Sequence, residues 1–212
     1  MQLIDFVMNV DKHLAGIVSQ FGTWSYVILF AIIFIETGAV ILPFLPGDSL
    51  LFAGAALAAN PASGLNIWIL AILFFTAAVL GDSSNYFISK HLNHWLQNKK
   101  WFHKLVKPEY LTQAEEFFER HGGKAIALGR FIPIVRTFVP FVAGGGALKY
   151  SRFLHYNIIG SSIWVAICLI CGHLFGNLPF VQEHFSMIVL GIIFVSILPA
   201  IIGFFRSKKA SN

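Results

Sequence analysis

Four charged residues stand where the chain is otherwise built for lipid: Glu36 and Asp48 in one apolar stretch, Arg130 and Arg136 in another. A single charge at bilayer depth costs about 2.5–3.5 kcal/mol on insertion scales, so four unpaired ones are untenable and the two stretches must share a pocket. Opposite charges about 4 Å apart recover roughly 4 kcal/mol at an effective dielectric near 20, enough to offset that cost. Two readings are open: the charges clamp two parts of the protein together as salt bridges, or they act on a substrate. Apolar packing would clamp at least as well, which favours the second. Two arginines suit a phosphate, because each planar guanidinium offers forked donors. Two carboxylates in the same cavity can carry protons. The chemistry expected is proton-coupled carriage of an anionic head group, with Arg130, Arg136 and the adjacent Thr137 binding substrate and Glu36 and Asp48 coupling to protons.

Both stretches are broken. Residues 43–54 read PFLPGDSLLFAG, where Pro43, Pro46 and Gly47 interrupt the run, and Pro133, Pro140 and Gly144 interrupt the second. Neither stretch suits one straight helix. Non-helical backbone at this depth survives only when it is buried or lines a wet cavity, so Asp48 is expected to face a polar cavity that the arginines enter from the other side.

The rest of the chain sets the solvent. Of 212 residues, 57% are hydrophobic and only 12% charged, with a mean hydropathy of +0.73, against roughly 25% charged in soluble domains. This composition describes an all-α integral membrane protein of one domain. The net charge of +5 lies in short loops flanking apolar runs, so the anionic cytoplasmic leaflet explains it better than nucleic acid does. Cys168 and Cys171 form a CxxC inside an apolar run with no second pair, and read as buried thiols. No GxxxxGK[ST] motif argues for an ATPase. His91 and His94 lie in a basic loop and read as surface residues rather than metal ligands, while His155 and His173 sit at the two ends of one span. No metal, no cofactor and no enzymatic reaction are expected, the driving force being a proton gradient.

The pattern predicts an amphipathic interfacial helix over 1–23, with no signal-peptide features. A first span or hairpin over 24–59 and a transmembrane helix over 65–90 follow. Residues 90–124 hold seven Lys/Arg against four Glu, so the 91–124 segment is expected to be cytoplasmic, with Tyr110, Leu111, Ala114, Phe117 and Phe118 laying one face against the membrane. A second hairpin over 125–148 and transmembrane helices over 153–175 and 185–205 complete the chain. The loops 60–64 and 176–184 lack Lys and Arg and are expected outside, whereas Lys149, Arg152 and the tail with Arg206, Lys208 and Lys209 are expected inside. On that count 125–148 begins and ends on the cytoplasmic side, as a re-entrant hairpin, and the run ending near Ala59 returns outside. Two hairpins then dip in from opposite faces. The sequence leaves open whether 24–38 crosses alone or is one arm of the first hairpin. PFLPGDSLLFAGAAL at 43–57 can also be laid against PIVRTFVPFVAGGGAL at 133–148, an inverted repeat of the kind secondary transporters use.

FIETGAVILPFLPGDSLLFAGA at 34–55, GDSSNY at 81–86 and HGGKAIALGRFIPIVRTFVPFVAGGGALKYSRF at 121–153 resemble the signature blocks of the DedA family of bacterial inner-membrane proteins, within the VTT superfamily. The resemblance implies opposed re-entrant hairpins, dependence on the proton motive force and, for several members, flipping of undecaprenyl phosphate back to the cytoplasmic leaflet. It maps the family's acidic pair onto Glu36 and Asp48 and its arginine pair onto Arg130 and Arg136. The implied partners are membrane lipids and polyprenyl phosphate. A homo-oligomer is compatible with the sequence. Alternatives remain a phospholipid flippase or scramblase, a small-ion or drug/proton antiporter, and a membrane scaffold without transport.

Overall fold

The structure, a computed structural model, describes residues 20–38, 47–97, 108–146 and 148–176, together with positions 16, 178, 181, 187 and 191. Most of the expected 1–23 helix, Pro43, Pro46 and most of the expected 185–205 span lie outside these residues.

Among the described residues there are seven α-helices and no strand. They are α1 (Trp24–Gly38), α2 (Gly47–Ala58), α3 (Ile67–Gln97), α4 (Pro108–His121), α5 (Lys124–Gly129), α6 (Pro133–Gly145) and α7 (Tyr150–Phe175). A 3-10 turn at Pro61–Ser63 leads into α3, whose first turn is capped by Asn66: its Oδ1 accepts from the Trp68 N–H at 2.8 Å. No glycine or proline follows Gly81 within α3, so the helix continues for 31 residues, and its Ile67–His91 portion is long and apolar enough to cross a bilayer. The 26 residues of α7 meet the same test.

The shorter helices owe their ends to identifiable residues. Gly122 takes a φ of +56 and its N–H returns to the Phe118 carbonyl at 2.7 Å, so α4 stops at a left-handed glycine. Ile132 is extended, with φ −115 and ψ 110, as a residue before proline prefers. Pro133 then opens α6 at a position where a missing N–H costs nothing. Residues 130–132 therefore break the second apolar stretch, with Arg130 at the C-terminal end of α5 and Arg136 in the first turns of α6. Pro140 lies inside α6, and the buried Asn85 amide donates to the nearby Thr137 carbonyl at 2.8 Å. A neighbouring helix thus supplies a partner for backbone near the proline.

Two apolar clusters form the core. One joins Leu29 and Ile33 of α1, Leu50 and Leu51 of α2, Phe74 of α3, and Trp164 and Leu169 of α7. The other joins Tyr86 of α3, Ala114 of α4, Ile126 of α5, Phe138 and Phe141 of α6, and Phe153 of α7. The long helices α3 and α7 run through both. Asp82 falls between the α3 members of the two clusters, and Asn157 between those of α7. The junction of the two cores is therefore polar. Gly144 of α6 sits where an added Cβ would strike the Tyr86 carbonyl, so α6 and α3 approach backbone to backbone there.

The amphipathic face expected to lie against the membrane packs in part on protein. Ala114 is fully buried, Tyr110, Leu111, Phe117 and Phe118 pack into the second cluster, and the Tyr110 ring lies 5.9 Å from that of Phe138. Outward faces elsewhere are strongly apolar: Trp68, Ile72 and Leu80 on α3 and Ile163, Ile167, Ile170 and Leu174 on α7 are all exposed. Such continuous stripes on two long helices fit a lipid environment.

Candidate functional site

The four charges read from the sequence converge at the junction between the two cores. Arg136 is the hub. Its Nη1 donates to both carboxylate oxygens of Asp48, at 2.8 and 3.0 Å, and its Nη2 donates to Glu36 Oε1 at 2.5 Å. One guanidinium from α6 thereby holds both α1 and α2, through residues 100 and 88 positions away in sequence. Glu36 is 5% exposed and its other oxygen accepts from the Thr37 hydroxyl at 3.2 Å. Asp48 stands in the first turn of α2, where a negative charge is favoured by the helix dipole. Arg136 stands at the corresponding end of α6, where the dipole disfavours a cation, so its two carboxylates have that penalty to offset as well as its burial.

Gly47 makes room for this arrangement. A Cβ at that position would lie 2.8 Å from both the carboxyl carbon and Oε2 of Glu36. The breaker thus serves a contact as well as a helix start.

Arg130 does not join the same carboxylates. Its Nη2 pairs with Asp82 of α3 and donates to Asn157 Oδ1 of α7 at 2.9 Å. Asn157 is held in turn, its Nδ2 donating to the Val79 carbonyl at 3.1 Å and its Oδ1 accepting from the Ser161 hydroxyl at 3.1 Å. Trp164 lies between the two ion-pair systems. Its indole N–H donates to Asp48 Oδ1 at 2.9 Å, and the guanidinium carbons of Arg130 and Arg136 lie 5.4 and 5.9 Å from its ring centre. Both are within cation–π range.

Between them is a small cavity of about 20 Å³, room for roughly one water molecule, whose lining includes Glu36, Asp82, Arg130, Arg136, Thr137 and Trp164. Three carboxylates and two guanidiniums share the cluster.

The structure therefore brings Glu36, Asp48, Arg130, Arg136 and Thr137 to one place, and adds Asp82, Asn157 and Trp164. Pro133 opens α6, Pro140 lies inside it, and Gly144 sets its close approach to α3. Asp82 had a sequence signal, as a lone carboxylate in a span with no other acid, inside the quoted GDSSNY block. Asn157 and Trp164 had none beyond their spacing on one helix, because neutral side chains leave no charge to notice.

The VTT domain family matches residues 45–174, which spans most of this site and well over half the chain. The chain belongs to the DedA family. It is 46% identical over 213 residues to Protein DedA of Escherichia coli (strain K12), covering 99% of this chain and 95% of that protein. It is 43% identical over 179 residues to an uncharacterized membrane protein of Mycobacterium tuberculosis (strain H37Rv), covering 84% and 78%. Identity to Inner membrane protein YghB of Escherichia coli (strain K12) is 33% over 196 residues, covering 92% and 83%. No solved structure matches the chain. As a DedA-family member with two helices able to span, it is a membrane protein with transmembrane helices.

Proposed function

We propose that this DedA-family protein carries an anionic lipid head group, polyprenyl phosphate such as undecaprenyl phosphate, across the bacterial cytoplasmic membrane under the proton motive force. The observation that carries the reading is the Arg136 hub: a forked cation, partly buried among apolar helices, held by two separate carboxylates from α1 and α2. A phosphate offers the same acceptors as those carboxylates and can replace them at the guanidinium. Protonation of Glu36 and Asp48 would release Arg136 to the phosphate, and loss of the protons would let them reclaim it.

The helix lengths support a transporter layout. At about 1.5 Å per residue, α1, α2 and α6 span roughly 22, 18 and 20 Å, short of the ~30 Å hydrocarbon core. In this reading α1 with α2, and α5 with α6, are the arms of two opposed re-entrant hairpins related as an inverted repeat. The N-terminal ends of α2 and α6 carry Asp48 and Arg136 into mutual contact. Discontinuous helices that aim such ends at the site are how secondary transporters meet anionic groups. A phosphate enters in this reading by displacing the carboxylates from the guanidinium, its isoprenoid chain staying in lipid.

Purified protein in liposomes, loaded with labelled polyprenyl phosphate in the outer leaflet, tests the substrate. Faster loss of label from that leaflet under an imposed gradient, acid outside, is expected. Equal acceleration of a zwitterionic phospholipid would favour a scramblase, and gradient dissipation with no lipid movement would favour an ion antiporter.

A further inference from the structure

We propose that Asp82 is a third acidic residue of transport, a positioning residue that holds Arg130 between ligands and surrenders it, on taking up a proton, to the incoming anion. The inference rests on the anion-carrier reading above, and it adds a second arginine switch to the Arg136 hub. Three observations carry it.

Asp82 and Arg130 are both buried, 4% and 6% exposed, and pair directly across 48 residues of sequence. Arg130 is only partly satisfied: its Nη2 meets Asp82 and Asn157, but its Nε is buried without a partner among the described residues. A guanidinium reads an oxyanion through two parallel N–H groups, so an unpartnered Nε–H on a residue that lines the cavity is half of a fork awaiting a second acceptor. The third observation is charge. Three carboxylates against two guanidiniums leave one negative charge uncompensated if all five ionise, and an uncompensated buried charge is costly. A site that admits a phosphate must shed negative charge first.

The surroundings make Asp82 answer to that need. Glu36 from α1 and Asp48 from α2 are anionic neighbours in the cluster, Arg136 from α6 is the other cation, and Arg130 precedes α6. From α7 come Cys168, the neutral Asn157 and Trp164. Asn157, anchored by Ser161 and the Val79 carbonyl, keeps one hydrogen bond to Arg130 when Asp82 lets go. Arg130 then stays in place and turns its charge to the ligand. No covalent step is involved: one proton goes onto Asp82 as the anion arrives and leaves as the anion departs.

The test is the pH dependence of binding by full-length purified protein, with a soluble short-chain polyprenyl phosphate as probe. For each proton taken up on binding, Kd rises roughly tenfold per pH unit over the range in which that proton must be acquired. Asp82→Asn removes one such proton, so its Kd should depend on pH with a slope smaller by about one and be tighter than wild type at the alkaline end. An Asp82→Asn protein with the wild-type slope overturns the proposal, as does a folded variant that binds more weakly at every pH, which would make Asp82 a structural anchor. Failure of the wild type itself to bind the probe at any pH would instead remove the anion-carrier reading and this proposal with it. Infrared difference spectra of wild type and Asp82→Glu provide a readout that does not need the amide variant to fold. Ligand binding should raise a protonated-carboxyl band that shifts in Asp82→Glu, and a band indifferent to that change contradicts the assignment.

Discussion

Arg136 and Asp48 meet through two hydrogen bonds, from one guanidinium nitrogen to both carboxylate oxygens, at 2.8 and 3.0 Å. The second guanidinium nitrogen is left for Glu36. One side chain therefore needs two separated donor groups, which an ammonium does not provide. Arg136→Lys is expected to accumulate in the membrane near wild-type levels yet transport at least tenfold more slowly, about 1.4 kcal/mol of lost function. Flux in liposomes normalised to inserted protein checks this. Wild-type flux would mean that charge alone suffices at this position.

Gly47 and Gly54 lie on the same helix and make opposite predictions. A methyl at 47 would come within 2.8 Å of the Glu36 carboxyl, while one at 54 meets Phe74 no closer than 3.5 Å. Gly47→Ala should cost about 1–3 kcal/mol through overpacking, and Gly54→Ala should be neutral or stabilising by up to about 1 kcal/mol through helix propensity. Thermal melts of the purified variants separate the two. Equal melting temperatures would show that Glu36 does not need the space.

Trp164 combines a hydrogen bond to a carboxylate with two cation–π contacts. Trp164→Phe removes the first and keeps an aromatic face, so a loss of roughly 1.5–3 kcal/mol is expected. Trp164→Leu should lose more, by about 0.5–2 kcal/mol for each arginine contact. Unfolding in denaturing detergent measures both. A phenylalanine variant as damaged as the leucine one would show that the ring contacts contribute little.

Orientation is checked by labelling. In a background with Cys168 and Cys171 replaced by serine, a cysteine at exposed Asn60 should react with an impermeant thiol reagent in intact cells, and one at position 98 should not. Asn60 suits the probe better than Gly64, whose φ of +70 strains any side chain. Reaction at 98 from outside would invert the topology.

Much of the site was legible because charge inside an apolar run is conspicuous. Glu36, Asp48, Arg130 and Arg136 were all visible in that way, and that the two stretches must meet followed from the cost of leaving the charges apart. Who pairs with whom was not visible. Arg130 turns to Asp82 on a different helix, and no spacing rule connects residues 48 positions apart in a fold of packed helices. Asn157 and Trp164 carry no charge and look like ordinary members of a span. The face of α4 illustrates a further limit. Its 3.6-residue period announces that one side is covered, yet the period is the same whether lipid or α6 does the covering. Breaks were easier to read: the Ile-Pro pair at 132–133 and Gly122 fix local backbone by short-range sterics, which sequence carries directly.

The central claim is that Glu36 and Asp48 carry protons rather than serve only as counter-ions to Arg136. Removing a mere counter-ion would leave a buried arginine unpaired, and the damage would appear as lost protein. Glu36→Gln and Asp48→Asn mimic the protonated carboxyl and should insert and fold. The most direct measurement is the flux of labelled polyprenyl phosphate in liposomes with and without an imposed proton gradient, for wild type and both amide variants, with insertion quantified separately. The account predicts that the folded variants still bind the lipid phosphate, release it slowly, and transport at one rate whether or not the gradient is present. Well-folded variants that accelerate in the gradient as the wild type does would contradict it.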